Sequence, residues 1–552
     1  MNVSPSVSSK VSSLAFRLLY AMSLKGTKDF EYSMDHLESV QRKKLTQLLH
    51  YSENKVQACK YNLHSTMSYE EFAKRVPLTK YPDWESFVLE QKNTGSPSLT
   101  RDTCDRYQPT SGSSSKMKWI PYTPSFLTEL DSAISPMLVN VFKNNPRILK
   151  GKHYWSLSWI PTHLRTKISP DANDDMKLLP WWKRLFMSIT MAVPNEISFA
   201  ATSEGSIISS IAHLLSCKDL SMISVWSPTF AINLFEQMAR HREELSEILA
   251  KGDWGDRRQE LFHIPCPRSP FAANILDTWN GEVGPDFLKT IWPDMALISS
   301  WDTSSSRIWA QELQRLFPDA AFLAKGLWST EGVVTIPYQG KYPLAATSHF
   351  YEFIDHDTQR IHAPWDLKKG QIVRPLLTTG SGFFRYDLND QVRVSDFLRG
   401  CPCFEFLGRG EGIDMIGEKL TPKIASEVIR KACDTFQIRA LTLLASPGSI
   451  TKGEKPRYHL LCEAQPDDQL KKKITQFTSL LLEESFHYKL ATEIGQLNPV
   501  NVVLHPDCRK IYQERNEKRG MILGDMKIEP LVLWDESDAE YFQRLSLNTR
   551  TL

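Results

Sequence analysis

Apolar side chains first recur at helical spacing over residues 36–52, where Leu37, Val40, Leu45, Leu48 and Leu49 stand among Gln, Arg and Lys. That spacing predicts a helix with one buried face. Residues 11–22, interrupted by Arg17, read as an amphipathic helix, and residues 69–75 as a short one. A longer helix is predicted over 124–142, with Phe126, Leu130, Ile134, Leu138 and Phe142 on one side. Short apolar runs at 223–226, 297–300 and 320–323 then alternate with helical patterns at 229–250 and 307–316. Strands alternating with helices predict a mostly parallel sheet covered on both faces.

The pattern changes at 348–354. That run, 372–377 and 383–394 read as antiparallel strands, the last bracketing a turn at Asn389-Asp390. From Gly408 the composition shifts again, and Gly408, Gly410 and Gly412 mark a hinge. Helices at 422–436, 467–486 and 507–518, with strands at 439–445, 458–464 and 500–504, predict a small α+β domain after it. The expected division is therefore 1–408 and 409–552. A chain of 552 residues is too long for one core.

Composition narrows the class of partner. Lys+Arg total 66 against 64 for Asp+Glu, without the basic excess of a general nucleic-acid binder. The nine cysteines are scattered with no C-x-x-C pair, and Cys401-Pro402-Cys403 is too little for a zinc site. Irregular, odd-numbered thiols fit a reducing compartment. No apolar run approaches the roughly 18 residues of a spanning helix. The expected location is the cytoplasm, with no membrane partner. H-E-x-x-H, G-x-S-x-G, the Walker pattern and the kinase signatures are all absent.

Four segments carry candidate chemistry. In Thr110-Ser111-Gly112-Ser113-Ser114-Ser115-Lys116, hydroxyls surround a glycine before a strand-like run, and a helix follows. A tight turn there directs N–H groups and hydroxyls at an anion such as a nucleotide triphosphate, although surface linkers share this composition. Ser329-Thr330-Glu331-Gly332 places a carboxylate just past a predicted buried strand, where α/β sheets bind ligands. Glu331 suits Mg²⁺ there, or caps a helix. Asp390 suits ribose hydroxyls, or only makes its turn. Arg409 and Lys419 are cations at the hinge, with a surface role equally open. The aromatic residues Trp155, Trp159, Trp181 and Trp182 suit either a core or the wall for a flat acid.

The order of these segments, T-S-G-S-S-S-K, W-S-T-E, F-F-R-Y-D-L-N-D-Q-V-R-V and F-x-F-L-G-R, resembles the adenylate-forming superfamily. More closely it resembles the Gretchen Hagen family of acyl-acid amido synthetases, which conjugate auxin and jasmonate to amino acids in plants and have bacterial relatives. The resemblance implies an α/β protein. Its large N-terminal adenylation domain would hold mixed and parallel sheets covered by helices plus a β-barrel-like part, with a small hinged C-terminal domain. It implies ATP and Mg²⁺ as cofactors, a carboxylic acid and an amine or amino acid as substrates, and an amide product. By motif, Thr110, Ser111, Gly112, Ser113, Ser114 and Ser115 would hold phosphates, and Thr330 would touch the nucleotide. Glu331 would carry Mg²⁺ and act in catalysis, Asp390 would bind ribose, Arg409 would serve near the hinge and Lys419 would reach the α-phosphate. Leu327 stands where the family has tyrosine and Asn389 where it has glycine, and Lys527 only faintly matches a lysine-bearing tail. A coenzyme A ligase, or a non-catalytic nucleotide-binding relative, shares the same motifs.

Overall fold

The computed structural model describes residues 7–104, 106–111, 117–156, 159, 188–303, 306–409, 412–413, 415–416, 418, 420–447, 455–493, 496–519, 521 and 526–545. At 7–12, 110–111, 117, 308, 409, 486 and 536 it describes the backbone alone.

Short apolar strands separated by amphipathic helices build the predicted parallel sheet. Its four strands lie in the order Lys152–Trp155, Leu220–Ser224, Leu297–Ser300 and Ala321–Ala324, with every neighbouring pair parallel. The two central strands are buried throughout, as continuous apolar runs require. A six-stranded antiparallel sheet follows, built on Phe350–Asp355, Ile372–Thr378, Asp390–Leu398 and Cys401–Arg409. Where a barrel-like part was expected, its described strands run from edge to edge without closing a ring. A third sheet orders Asn498–Leu504, Arg457–Glu463, Arg439–Ser446 and Leu531–Leu533, mixing parallel and antiparallel pairs.

Two long helices join the first two sheets. Val7–Asp35 places Phe16 and Leu19 in the core of the parallel sheet and Phe30 and Met34 in the core of the antiparallel one. Pro124–Asn144 does the same with Leu138 and Phe142 on one side and Phe126 and Leu130 on the other. The third sheet has its own core around Leu443, Tyr458 and Leu460. A further cluster joins it to Ile232 and Trp309, which stand on helices of the parallel-sheet region.

Three local expectations are corrected. The helix expected over 229–250 is two, Pro228–Arg240 and Arg242–Lys251, parted at His241. The helix expected over 467–486 ends at Glu483, and a second one, Phe486–Glu493, begins after it. The turn expected at Asn389-Asp390 is there, but the strand before it is only Tyr386–Asp387, since Arg385 takes a left-handed φ of 47°. All nine cysteines are free thiols. Among the described residues no helix is long and apolar enough to cross a membrane.

His153, on the first parallel strand, stacks on Phe16 at 4.1 Å and bonds the Ile148 carbonyl through Nε2. Burial lowers its pKa to about 4. The unfolded chain therefore takes this proton first, and stability falls as pH drops through about 6.5 towards 4. His153→Gln is expected to lose about 2 kcal/mol less stability than wild type between pH 7 and pH 5, measured by urea unfolding at both values. Parallel losses in the two proteins contradict the buried neutral imidazole.

Candidate functional site

Thr330 and Glu331 form the turn of a small hairpin, Trp328–Ser329 against Gly332–Val333, just beyond the last parallel strand. The Thr330 carbonyl accepts from the Tyr122 hydroxyl at 3.1 Å, and Glu331 Oε1 accepts from the Tyr386 hydroxyl at 3.2 Å. Burial first, and then the Glu331 charge, push the Tyr386 hydroxyl well above its ordinary range, so it stays a donor. Glu331 itself is half-buried.

A buried relay holds this hairpin from behind. Gly380 N–H donates to Glu129 Oε2 at 2.8 Å, His349 Nδ1 meets the same oxygen at 2.8 Å, and Val333 N–H donates to His349 Nε2 at 3.1 Å. Since Nε2 accepts, Nδ1 carries the proton. Gly332 leaves no room for a side chain, because a Cβ there would meet His349 Nε2 and Leu377 Cδ1 at 2.8 Å.

Arg385 fixes the segment that supplies Tyr386. Its Nε and Nη2 donate to the two oxygens of buried Glu352 at 2.8 and 2.9 Å, and its Nη1 donates to the Ala73 and Val76 carbonyls at 2.7 Å. Burial raises the Glu352 carboxyl while the Arg385 charge pulls it down. Downstream, Asp387 pairs with Arg374 at 3.3 Å and accepts from Asn389 N–H, whose φ of 61° turns the chain into the next strand. Asn389 thus takes the left-handed position that a glycine fills without strain.

Asp390 opens that strand, buried, directly opposite Arg409 in the antiparallel register. The two residues arose from separate motifs, and the sheet sets their backbones side by side. Tyr107–Ser111 and Met117–Pro121, the strands on either side of the serine-rich segment, pair antiparallel, and Trp119 N–H donates to the Tyr81 hydroxyl at 2.8 Å. Tyr122, directly after the second of these strands, bonds the Thr330 carbonyl, which sets the pair beside the Glu331 turn. Gly112, Ser113, Ser114, Ser115 and Lys116 lie outside the described residues, as do Lys419, Trp181 and Trp182. Of Thr110, Ser111 and Arg409 the backbone alone is described. Glu418, beside Lys419, is buried and accepts from the Tyr458 hydroxyl at 2.5 Å.

Sequence reasoning missed a second cluster at the carboxyl ends of the parallel strands. Lys325 is buried, donates to Ser224 Oγ at 2.6 Å and lies 4.6 Å from the Trp226 ring and 5.6 Å from that of Trp155. Trp226 sits 5.3 Å from Trp301 and 6.2 Å from Trp328. Lys527, reaching over from the C-terminal region, lies 3.5 Å from the Trp301 ring. Trp159 is fastened to the Ala200 carbonyl instead. The available signal was position: Trp226, Trp301 and Lys325 each follow a parallel strand by one or two residues, where such sheets bind ligands. Among the described residues no three His, Cys, Asp or Glu side chains converge as a metal cage.

Residues 26–322 match the GH3 family N-terminal domain and residues 342–409 the GH3 family central domain. The chain is 24% identical over 237 residues to indole-3-acetic acid-amido synthetase GH3.10 of Arabidopsis thaliana, covering 37% of this chain and 39% of that protein. It is 21% identical over 369 residues to the 4-substituted benzoates-glutamate ligase GH3.12 of the same plant, covering 62% and 63%. It thus spans less than two thirds of either relative. A solved GH3.15 acyl acid amido synthetase shares the fold with a TM-score of 0.77 at 16% identity, over 93% of this chain and 94% of that one.

Removing one partner of the buried Arg385–Glu352 pair strands a charge, so Glu352→Ala is expected to destabilise the protein by about 3–5 kcal/mol. Urea unfolding measures it. A loss under about 1 kcal/mol contradicts the organising role given to this pair.

Proposed function

The chain belongs to the GH3 family, and from that premise we propose that it is an ATP-dependent acyl-acid amido synthetase. A substrate carboxylate attacks the α-phosphorus of ATP and pyrophosphate leaves. An amine or amino acid then attacks the acyl carbon of the acyl-adenylate, giving an amide and AMP. The observation that supports this reading is the contact between two separate motifs. Glu331 is held by Tyr386, four residues before Asp390, and Asp390 faces Arg409 across the sheet.

The assignments follow the chemistry of each position. The turn Thr110–Ser115 takes the phosphates, Thr330 contacts the nucleotide, Asp390 the ribose, and Arg409 and Lys419 act from the hinge side. Glu331 fits Mg²⁺, since Tyr386 engages one carboxylate oxygen and the residue is not sealed from solvent. Such an ion takes its other ligands from phosphates and water and would neutralise charge building on the leaving pyrophosphate. Tyr386 and Gly332 keep that carboxylate in place. The small domain, 409–552, rotates about 408–412 between the two half-reactions. The central-domain match ending at 409 supports a boundary there.

Glu331→Gln is expected to lower acid-dependent ATP–pyrophosphate exchange by about 10²-fold or more, with the unfolding midpoint near wild type. Exchange at the wild-type rate removes Glu331 from the mechanism. Product mass after incubation with ATP, an acid panel and either amino acids or coenzyme A separates an amide from a thioester. ATP binding without AMP release, whatever the acid, favours the non-catalytic alternative.

A further inference from the structure

The third sheet meets the helices of the parallel-sheet region through a row of charges as well as an apolar cluster. Helix Pro228–Arg240 supplies Glu236, and helix Arg307–Leu316 supplies Glu312. Facing them, Arg439 opens a strand of the third sheet and Arg509 stands in the first turn of helix Cys508–Lys518. Arg439 donates to Glu236 Oε1 at 3.1 Å and to Glu312 Oε1 at 2.5 Å, while Arg509 Nη2 pairs with Glu236 Oε2. One carboxylate thus holds two arginines of the other unit, one through each oxygen.

Both sides also carry a second partner. Glu463 lies directly opposite Arg439 in the antiparallel register, 3.7 Å from its guanidinium, and accepts from Arg509 Nε at 3.3 Å. The two arginines therefore keep a carboxylate of their own unit when Glu236 withdraws. On the other side, Arg240 stands four residues after Glu236 on the same helix, exposed and in no ion pair among the described residues. A Glu followed four residues later by a cation is the favourable order for a pair along a helix. Arg240 lines the same open cleft as Glu236, Arg439, Glu463 and Arg509. Side-chain exposures of 44% for Arg439 and 32% for Glu236 leave their attraction open to screening by salt.

We propose that this row is a partner-exchange latch. Glu236 holds Arg439 and Arg509 while the two units are docked; on parting, Glu236 passes to Arg240 and both arginines pass to Glu463. Glu312, part-exposed already, returns to solvent. Removing one member of a buried ion pair strands the other, and the standby partners avoid that in both arrangements. The latch rests on the domain rotation contained in the amido synthetase reading.

Thiol labelling of the full chain tests the latch apart from turnover. Ile232, on the helix of Glu236, is 3% exposed and shares its apolar cluster with Trp309 and otherwise with residues of the third-sheet unit. Ile232→Cys therefore places a thiol that an alkylating reagent reaches when the seam parts, and its labelling rate, read by peptide mass, reports that opening. In this reporter background, labelling is expected to quicken about threefold from ~0.05 to ~0.5 M NaCl. At the lower salt Glu236→Gln labels about tenfold faster, with most of the salt dependence gone. Arg240→Gln, which removes only the waiting partner, labels about twofold slower. Opposite signs from two side chains on one helix separate partner exchange from a general loss of structure. Arg439→Gln is expected to act like Glu236→Gln and serves if that variant fails to fold. A rate in Glu236→Gln equal to that of the parent, or a rate in Arg240→Gln at or above it, overturns the proposal. Opening that depends on Glu236, with no pyrophosphate release from any acid, supports the latch and sinks the synthetase reading. Amide formation with an unaltered labelling rate in every variant does the reverse.

Discussion

The candidate site depends on one buried ion pair. Arg385 sits in a left-handed backbone conformation, which costs an L-residue about 1–2 kcal/mol. It holds there because its guanidinium reaches both oxygens of Glu352 and two carbonyls at the end of the helix Tyr69–Arg75 and just beyond it. A cation at a helix carboxyl end also meets the favourable end of its dipole. A buried pair of this kind adds little net stability over an apolar substitute, since desolvation offsets the attraction. What it supplies is position. With Arg385 turned inward, Tyr386 is carried to Glu331, Asp387 to Arg374, and Asn389 swings the chain so that Asp390 begins the next strand opposite Arg409.

The same logic governs the hairpin that bears Glu331. Gly332 lies so close to His349 that a methyl group would have to displace it, and His349 is tied through Glu129 to the helix spanning both cores. Glu331 is therefore set by two anchors from opposite directions: the Tyr386 hydroxyl in front and the His349–Glu129 relay behind.

Much of this architecture was legible in the sequence because it follows from local period. The helix over 422–436 and the parallel strand over 297–300 fall where the apolar spacing put them, and the alternation of strands and helices implied the parallel sheet. Tertiary partners overrode the local pattern elsewhere. The pattern favours a strand from 383 up to the turn at Asn389-Asp390, yet Arg385, turned to reach Glu352, leaves only Tyr386–Asp387 of it. The helical pattern over 229–250 likewise hid the break at His241. In the site, Glu331 and Asp390 were legible as motifs. Trp155 was legible as an aromatic candidate, but its neighbours Lys325, Trp226 and Trp301 were not, because sheet order alone brings the ends of four distant strands together.

The proposed rotation of the small domain works against a seam that the structure shows well packed. Glu236 receives both Arg439, at 3.1 Å, and Arg509, and Arg439 also reaches Glu312 at 2.5 Å. Arg509 is buried and lies 6.0 Å from the Trp309 ring, while Ile232 and Trp309 share an apolar cluster with Leu444 and Val503. Re-exposing two such side chains costs about 1.5–3 kcal/mol each, and parting Arg509 from Glu236 adds to that. Turnover between the half-reactions then requires the acyl-adenylate state to offset this seam with contacts of its own, because an equilibrium moves only by the difference in a ligand's affinity for the two arrangements. Lys527 adds to the same seam, lying against the Trp301 ring.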